Sequence, residues 1–231
     1  MSFQSIQAAV QSSGGILYLM AVLLLVALTV SIERGWFLWR ILSQGGQLIK
    51  EITGAHKLGG DTYTYLVEKN PALPHAKVLE VAIRHDLDHD FERINDKLEE
   101  AVMREAPGVD RYLWILDTIV TLAPLLGLLG TIIGMFNAFQ VLGDPGNAAT
   151  KVTGGVAEAL IATAAGLTIA VIGLVALNGL NNRVRIVMHQ METLKMMLVN
   201  RIYPHYQEAY DEQKRVISDL RLRASPVEHR S

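Results

Sequence analysis

Three stretches of the chain are nearly free of charged residues and long enough to cross a lipid bilayer. They cover residues 16–32, 113–139 and about 155–180. A transmembrane helix needs about 20 mostly apolar residues, with a range of about 17–25. A chain of 231 residues is too short to enclose three such helices in a soluble core. The pattern therefore predicts an all-α integral membrane protein with three transmembrane helices.

Lysine and arginine are distributed unevenly between the connecting segments, and this predicts the orientation. Residues 1–33 contain none, residues 34–111 contain eleven, the link between the second and third spans has only Lys151, and nine follow Asn182. Cytoplasmic segments carry the excess of basic residues. We predict a periplasmic N-terminus (1–15), span one (16–32), a cytoplasmic connector (33–112), span two (113–140), a periplasmic link (141–153), span three (154–181) and a cytoplasmic tail (182–231).

The first apolar segment is predicted to be a retained membrane helix. Its N-terminal flank has no basic residue, and no small-residue cleavage site follows it, so it does not fit a secretory signal peptide. Trp36 and Trp39 lie just after this segment, and Trp114 lies near the start of the second. Tryptophan is enriched where helices meet the membrane surface, so we expect these three to be interfacial anchors.

The polar segments also show helical periodicity. In the connector, Leu87, Phe91, Ile94, Leu98 and Val102 recur every three or four residues and form one apolar face. The pair 59–60 and the stretch 70–74 contain glycine, asparagine and proline and predict turns between shorter helices. No helix breaker follows the third span before Pro204, so that span should continue into the cytoplasm as one long helix.

Composition excludes several classes of function. The formal net charge is −2, which offers no basic surface for nucleic acid. The absence of cysteine excludes disulfides, thiolate zinc sites and cysteine nucleophiles. His85 and His89 are one helical turn apart, but the acidic residues around them scatter around the helix, so we predict no metal site and no cofactor.

Small residues form stripes along the second and third spans. Gly127, Gly130 and Gly134 share one face of the second span, and the third span carries the stripe Ala159, Thr163, Gly166, Ala170 and Gly173. Such stripes let helix backbones approach closely in lipid. We expect both spans to pack on other helices and Pro124 to kink the second. The first span, rich in leucine and valine, should face lipid.

Glu158 is the candidate for chemistry, because no other charged residue occurs between it and Arg183. Ionisable residues inside a membrane cost several kcal/mol and usually face a helix bundle or a water path. Burial disfavours the charged form, so such a carboxylate can bind and release a proton. Thr131 and Thr163 could supply hydroxyl groups to a proton path. The alternative is that Glu158 lies at the outer membrane surface, in contact with water.

Two further geometric points bear on this path. Glu158 and Thr163 are five residues apart, roughly 140° around an ideal helix, so they cannot point in one direction. One could face a lumen and the other the second span. Asp117, near the start of the second span, has two interpretations of equal weight, a cytoplasmic proton exit or a polar side chain at the membrane surface.

Two motifs, taken together, resemble the ExbB/TolQ/MotA proton-channel family. They are LAPLLGLLGTIIGMFNAF and GGVAEALIATAAGLTIAV, and the similarity is close over residues 112–183. The resemblance implies a homopentamer whose second and third spans surround the helices of a small ExbD-like single-span partner. It maps the family's glutamate onto Glu158 and its threonines onto Thr131 and Thr163. The partner would supply an aspartate that this chain lacks.

The three-span layout resembles ExbB and TolQ more than MotA, which usually has four spans. The stretch APLLGLLGTIIGM is most similar to ExbB, whose complexes act on a TonB-like protein and energise outer-membrane transport with the proton motive force. The short N-terminus keeps a TolQ-like role open. A scaffold that does not conduct protons is a second hypothesis, supported by the small-residue stripes. An enzyme is not expected, because no catalytic constellation lies in or beside the spans.

Overall fold

The structure, a computed structural model, describes residues 15–54, 60–84, 91–140 and 148–202, which are α-helical apart from residue 15 and the short connections at 70–73 and 110–112. Six helices occur in these ranges: α1 (Ile16–Gly54), α2 (Gly60–Lys69), α3 (Pro74–Arg84), α4 (Phe91–Val109), α5 (Leu113–Gln140) and α6 (Ala148–Ile202). Helices α1, α5 and α6 contain windows that are long and apolar enough to cross a membrane. The predicted all-α class and the three long apolar helices are confirmed for this part of the chain.

The long helices extend beyond the apolar segments that identify them. Helix α1 does not end after Ile32 but continues through Glu33 and Arg34 to Gly54. Charged residues therefore end the apolar window without ending the helix. Helix α6 begins at Ala148, inside the predicted link, and continues to Ile202, just before Pro204, as one helix. The sides of the membrane on which these ends lie stay a prediction.

One compact unit contains residues 1–40 and 109–185. In its described part, α5 and the first part of α6 bury small residues, among them Ala123, Gly127, Ala162 and Gly166. Large apolar side chains on all three helices remain exposed in the single chain: Leu25 is 64% exposed, Leu125 62% and Val175 70%. Such surfaces require lipid or another protein to cover them. The exposure of α1 fits the expectation that the first span faces lipid. However, α5 and α6 are exposed in the same way, so exposure does not distinguish the three helices.

A second unit contains residues 41–108 and 186–231. Its described core is apolar and includes Leu48, Leu79, Leu98 and Leu194. The periodic face predicted for the connector is buried at Ile94, Leu98 and Val102, and Phe91 is half-buried. The predicted turn at residues 70–74 separates α2 from α3. Leu87 and the pair His85 and His89 lie outside the described residues.

His75 is a buried polar residue in this otherwise apolar core. Its ring packs on Gly45, where an added side chain would overlap the ring, and neither ring nitrogen makes a hydrogen bond of normal geometry within the described residues. Burial lowers the pKa of His75 from 6.5 to about 4, and the neighbouring Gln190 side chain opposes this with a smaller effect. His75 is therefore neutral at physiological pH.

Candidate functional site

Helices α5 and α6 pack through small side chains along a line that we call the α5–α6 seam. A side-chain carbon added at Gly130 would lie 2.7 Å from Ala162 Cβ, and one at Gly134 would lie 2.8 Å from Ala159 Cβ. Toward the other end of the seam, Gly173 lies against Val120. Contacting residues with higher numbers on α5 pair with residues of lower number on α6, so the two helices are antiparallel.

Near the middle of the seam, the two backbones touch. A side-chain carbon at Gly166 would overlap the carbonyl oxygen of Ala123 and lie 3.1 Å from Gly127 Cα. One at Gly127 would lie 3.1 Å from Thr163 Cα. Backbone atoms cannot move aside as a flexible side chain can. Glycine is therefore required at both positions for this separation of the helices.

Thr163 connects the two helices by a hydrogen bond. Its half-buried hydroxyl donates to the carbonyl oxygen of Gly127, with 3.0 Å between the oxygens. This bond depends on the close approach, because a helix held further away by a side chain would leave the carbonyl out of reach. Of the two residues Glu158 and Thr163, it is therefore Thr163 whose side chain points toward the second span.

Glu158 is half-buried and lies beside the seam. Its helical neighbours Gly155 and Ala162 both contact α5, at Ala138 and Gly130 respectively. At 100° per residue, Glu158 and Thr163 lie about 70° to either side of the seam. The carboxylate and the hydroxyl therefore flank the same helix contact from opposite sides.

Thr131 and Asp117 have different surroundings. Thr131 is half-buried as a residue, and its hydroxyl donates within α5, to the carbonyl oxygen of Leu128 at 2.6 Å. That bond uses the donor of Thr131 and leaves its oxygen as an acceptor. Asp117 is exposed in the single chain, and its backbone carbonyl accepts a hydrogen bond from Thr121 at 3.2 Å. The hydrogen bonds described for these two residues keep to α5, unlike that of Thr163.

Sequence reasoning missed several residues of the seam. Ala123 and Ala138 extend the glycine stripe of α5, and Ala162 is fully buried between positions of the predicted α6 stripe. The signal for Ala162 was present, because it lies three residues after Ala159 and four before Gly166. Ala170, included in the predicted stripe, is only half-buried.

Metal-binding geometry is not found in the part of the chain that the structure describes. Those ranges contain no group of three or more histidine, aspartate or glutamate side chains placed to hold a metal ion. The motif HDLDHD, at residues 85–90, lies outside them. The seam itself offers only one carboxylate and hydroxyl and carbonyl oxygens. Such groups suit proton transfer better than redox or nucleophilic chemistry.

Comparison with known families identifies the chain. Residues 71–193, more than half of the sequence, match the family model described as the MotA/TolQ/ExbB proton channel family. This chain belongs to that family. The match begins in the turn before α3 and ends within α6, so it includes the whole α5–α6 seam with Glu158, Thr131 and Thr163.

Individual relatives support the assignment to the family. An ExbB-like 1 biopolymer transport protein of Synechocystis is 32% identical over 173 residues, which cover 70% of this chain and 65% of the relative. An ExbB-like 3 protein of the same organism is 33% identical over 158 residues, covering 67% of this chain and 74% of the relative. The Tol-Pal system protein TolQ of Haemophilus influenzae is 39% identical over 85 residues, covering 36% of this chain. Family members of both ExbB and TolQ type are thus similar to this sequence.

Proposed function

We propose that this chain is a subunit of a stator-type proton channel in the bacterial inner membrane, and that it energises TonB-dependent outer-membrane transport. The observation that carries the proposal is the coincidence of the family match with the α5–α6 seam, where Glu158 and Thr163 flank a glycine contact. Moving one proton across a potential of 100 mV provides about 2.3 kcal/mol. Several protons can thus supply the work of moving a partner.

Glu158 and Thr163 have distinct roles in this proposal. Glu158 binds and releases protons, since a half-buried carboxylate among apolar side chains is the titratable group of the seam. Thr163 directs its hydroxyl proton to Gly127, which leaves its oxygen free to accept a hydrogen bond from water or another donor. Thr131 contributes a second such oxygen on α5. Asp117 is proposed as the cytoplasmic exit.

The proposed assembly is a homopentamer around an ExbD-like single-span partner that contributes an aspartate, acting on a TonB-like protein. Support comes from the apolar surface that the single chain leaves uncovered, for example Ile132 (59% exposed) and Leu160 (63% exposed). Lipid covers part of such a surface, and neighbouring subunits or the partner cover the rest. The proposed orientation has a periplasmic N-terminus and a cytoplasmic C-terminus, following the distribution of basic residues.

The proton role of Glu158 is tested by replacing it in cells that carry the complete complex. Glu158→Gln keeps the size of the side chain but cannot ionise, and Glu158→Asp keeps the titratable group. We expect the glutamine variant to assemble and to lose energisation, measured as growth on iron chelates, while the aspartate variant retains part of it. Wild-type growth of the Glu158→Gln strain would reject the proton role.

A TolQ-like role in the Tol-Pal system is the alternative within the family, favoured by the similarity to a TolQ protein, 39% identical over 85 residues. Deletion of the gene separates the two. Loss of growth on iron chelates with normal detergent resistance supports the ExbB-like role. Detergent sensitivity with normal growth on iron chelates supports the TolQ-like role. A swimming defect alone would point to a MotA-like role.

A scaffold that does not conduct protons is the second candidate function, favoured by the extent of glycine packing in the seam. Thr163→Val separates it from a channel, because valine has nearly the same shape but no hydroxyl. The matched control is Thr168→Val, since the Thr168 hydroxyl bonds to Ala164 in its own helix. A channel loses activity with Thr163→Val and keeps it with Thr163→Ser and Thr168→Val. A scaffold that assembles normally tolerates all three.

A further inference from the structure

We propose that Arg34, Arg111 and Arg183 form a binding site for the phosphate group of an anionic phospholipid. All three belong to the compact unit of residues 1–40 and 109–185. Arg34 lies in α1 just after its apolar segment, Arg111 lies just before α5, and Arg183 follows the apolar part of α6. The proposal concerns lipid recognition and does not depend on proton conduction.

Arg34 is buried without enough hydrogen-bond acceptors. The residue is 4% exposed, and its Nε and Nη1 atoms make no hydrogen bond within the described residues. The carboxylate of Glu33 lies 3.0 Å from Nε and forms an ion pair, but it leaves Nη1 without an acceptor. Buried guanidinium groups without acceptors are unfavourable. The geometry thus points to an anionic group that completes the coordination of Arg34.

Aromatic rings hold the Arg34 guanidinium in place. Its central carbon lies 4.8 Å from the ring centres of both Phe37 and Tyr112. Tyr112 has a left-handed backbone conformation, with φ of 68°, which is uncommon for a residue with a bulky side chain. The Tyr112 ring also contacts the Arg111 guanidinium, 4.5 Å from its centre. The Tyr112 ring, in the turn before α5, thus contacts both the Arg34 and the Arg111 guanidinium.

Arg183 adds a third guanidinium at the same turn of α1. Its Nη1 donates to the carbonyl oxygen of Gly35 at 2.9 Å. The acidic residues adjacent to these arginines in sequence are Glu33 and Asp110, so the three guanidiniums outnumber the neighbouring carboxylates. The remaining donors of three planar guanidiniums suit a phosphate, which offers several acceptor oxygens.

The tryptophans around this cluster indicate that the phosphate belongs to a lipid. Trp36, Trp39 and Trp114 are 69%, 61% and 68% exposed. Exposed tryptophans next to apolar helical segments are typical of the membrane surface, where phospholipid headgroups lie. Basic clusters between transmembrane helices at that depth bind anionic headgroups. A dissolved phosphate would need none of these aromatic side chains.

The test uses the purified full-length protein in detergent, titrated with phosphatidylglycerol, with phosphatidylcholine of the same acyl chains, or with inorganic phosphate. Native mass spectrometry counts bound lipid, and tryptophan fluorescence measures the melting temperature. We expect phosphatidylglycerol to bind and raise the melting temperature, and the other two to have little effect. Equal effects of both lipids, or an equal effect of inorganic phosphate, would overturn the lipid site.

Variants locate the site. Arg34→Gln should weaken phosphatidylglycerol binding about tenfold, which corresponds to about 1.4 kcal/mol. The control Arg40→Gln removes the same charge from an exposed position of the same helix and should bind as the wild type. If Arg34→Gln does not fold, Arg111→Gln and Arg183→Gln provide the comparison. Binding of the folded variants at wild-type strength would assign the lipid to another site.

Discussion

Replacing Gly166 by alanine should separate α5 and α6 at the centre of their seam. The new methyl group would overlap the carbonyl oxygen of Ala123 and lie 3.2 Å from its carbonyl carbon. These atoms belong to the backbone of a helix, so they move only if the helix moves. Comparable nonbonded atoms normally stay about 3.5–4.0 Å apart, so the helices must separate by about 1 Å.

The size of the effect is the difference between two opposing contributions. Overpacking of this kind costs about 1–3 kcal/mol. Alanine favours a helix over glycine by about 1 kcal/mol, which offsets part of the cost. Gly179→Ala provides the matched control, because a side chain there meets nothing within 4 Å in the single chain. The propensity gain occurs in both variants, so their difference in stability should equal the overpacking cost.

The assay is unfolding of the purified complex in detergent, followed by circular dichroism during heating and during titration with a denaturing detergent. We expect Gly166→Ala to unfold earlier than the wild type and Gly179→Ala to match or exceed it. Equal stability of the two variants would refute the seam geometry, because the close contact with Ala123 would then not exist in the assembled protein.

Three further predictions concern the remaining buried polar and strained positions. Burial lowers the pKa of His75 to about 4 in the folded protein. Between pH 6.5 and 4, His75 is therefore protonated only in the unfolded chain, which favours unfolding. The free energy of unfolding should decline over this range by up to about 3 kcal/mol. In His75→Leu, the free energy of unfolding measured with urea at pH 7.5, 6 and 4.5 should not show this decline. The same dependence on pH as in the wild type would contradict the prediction. Gly45→Ala should destabilise the protein by about 1–3 kcal/mol, because its methyl group would overlap the His75 ring. In the control Gly46→Ala the methyl group would lie 3.6 Å from the Gln190 side chain and should cost no stability. Equal melting temperatures of the two variants would contradict this prediction. Tyr112→Phe should keep the wild-type melting temperature, because the aromatic ring stays over Arg34. Tyr112→Ala removes the ring and should lower stability by about 1 kcal/mol. A lower melting temperature of the phenylalanine variant would assign the effect to the hydroxyl group.

The long apolar helices could be predicted because their signal is local. Twenty apolar residues without charge specify a membrane helix regardless of what surrounds them. The end of α1 and the start of α6 were less predictable for the same reason, whereas Pro204 correctly indicated the end of α6. Glu33 and Arg34 end an apolar window but are compatible with a helix, so the apolar pattern could not indicate that α1 continues to Gly54.

The face of α6 that contacts α5 was harder to predict than the face of α5. On α5, three glycines stand among leucines and isoleucines, so the small face is distinct. On α6, residues 157–170 contain alanine on nearly every side of the helix, so several small faces compete. The contacts select the face of Ala159, Ala162 and Gly166 and leave Ala170 half-buried.

Arg34 and His75 could not be recognised from sequence, because their burial depends on residues that are distant along the chain. Arg34 reads as an ordinary charge at the end of an apolar segment until Tyr112 covers it. His75 reads as a polar residue near the start of a short helix until Gly45 receives its ring. Tertiary contacts decide both environments, and no periodic pattern encodes them.

Gly127 joins packing and chemistry in this site. Its missing side chain lets α6 approach within van der Waals distance, and its carbonyl oxygen accepts the Thr163 hydroxyl at 3.0 Å. A change that separates the helices by about 1 Å would take this pair beyond the usual 2.5–3.0 Å range of a hydroxyl hydrogen bond. Packing variants such as Gly166→Ala should therefore also disturb the position of the Thr163 hydroxyl. Thr163→Val removes that hydroxyl while leaving the glycine contacts intact, so comparing the two variants separates the effect of helix packing from that of the proposed proton path.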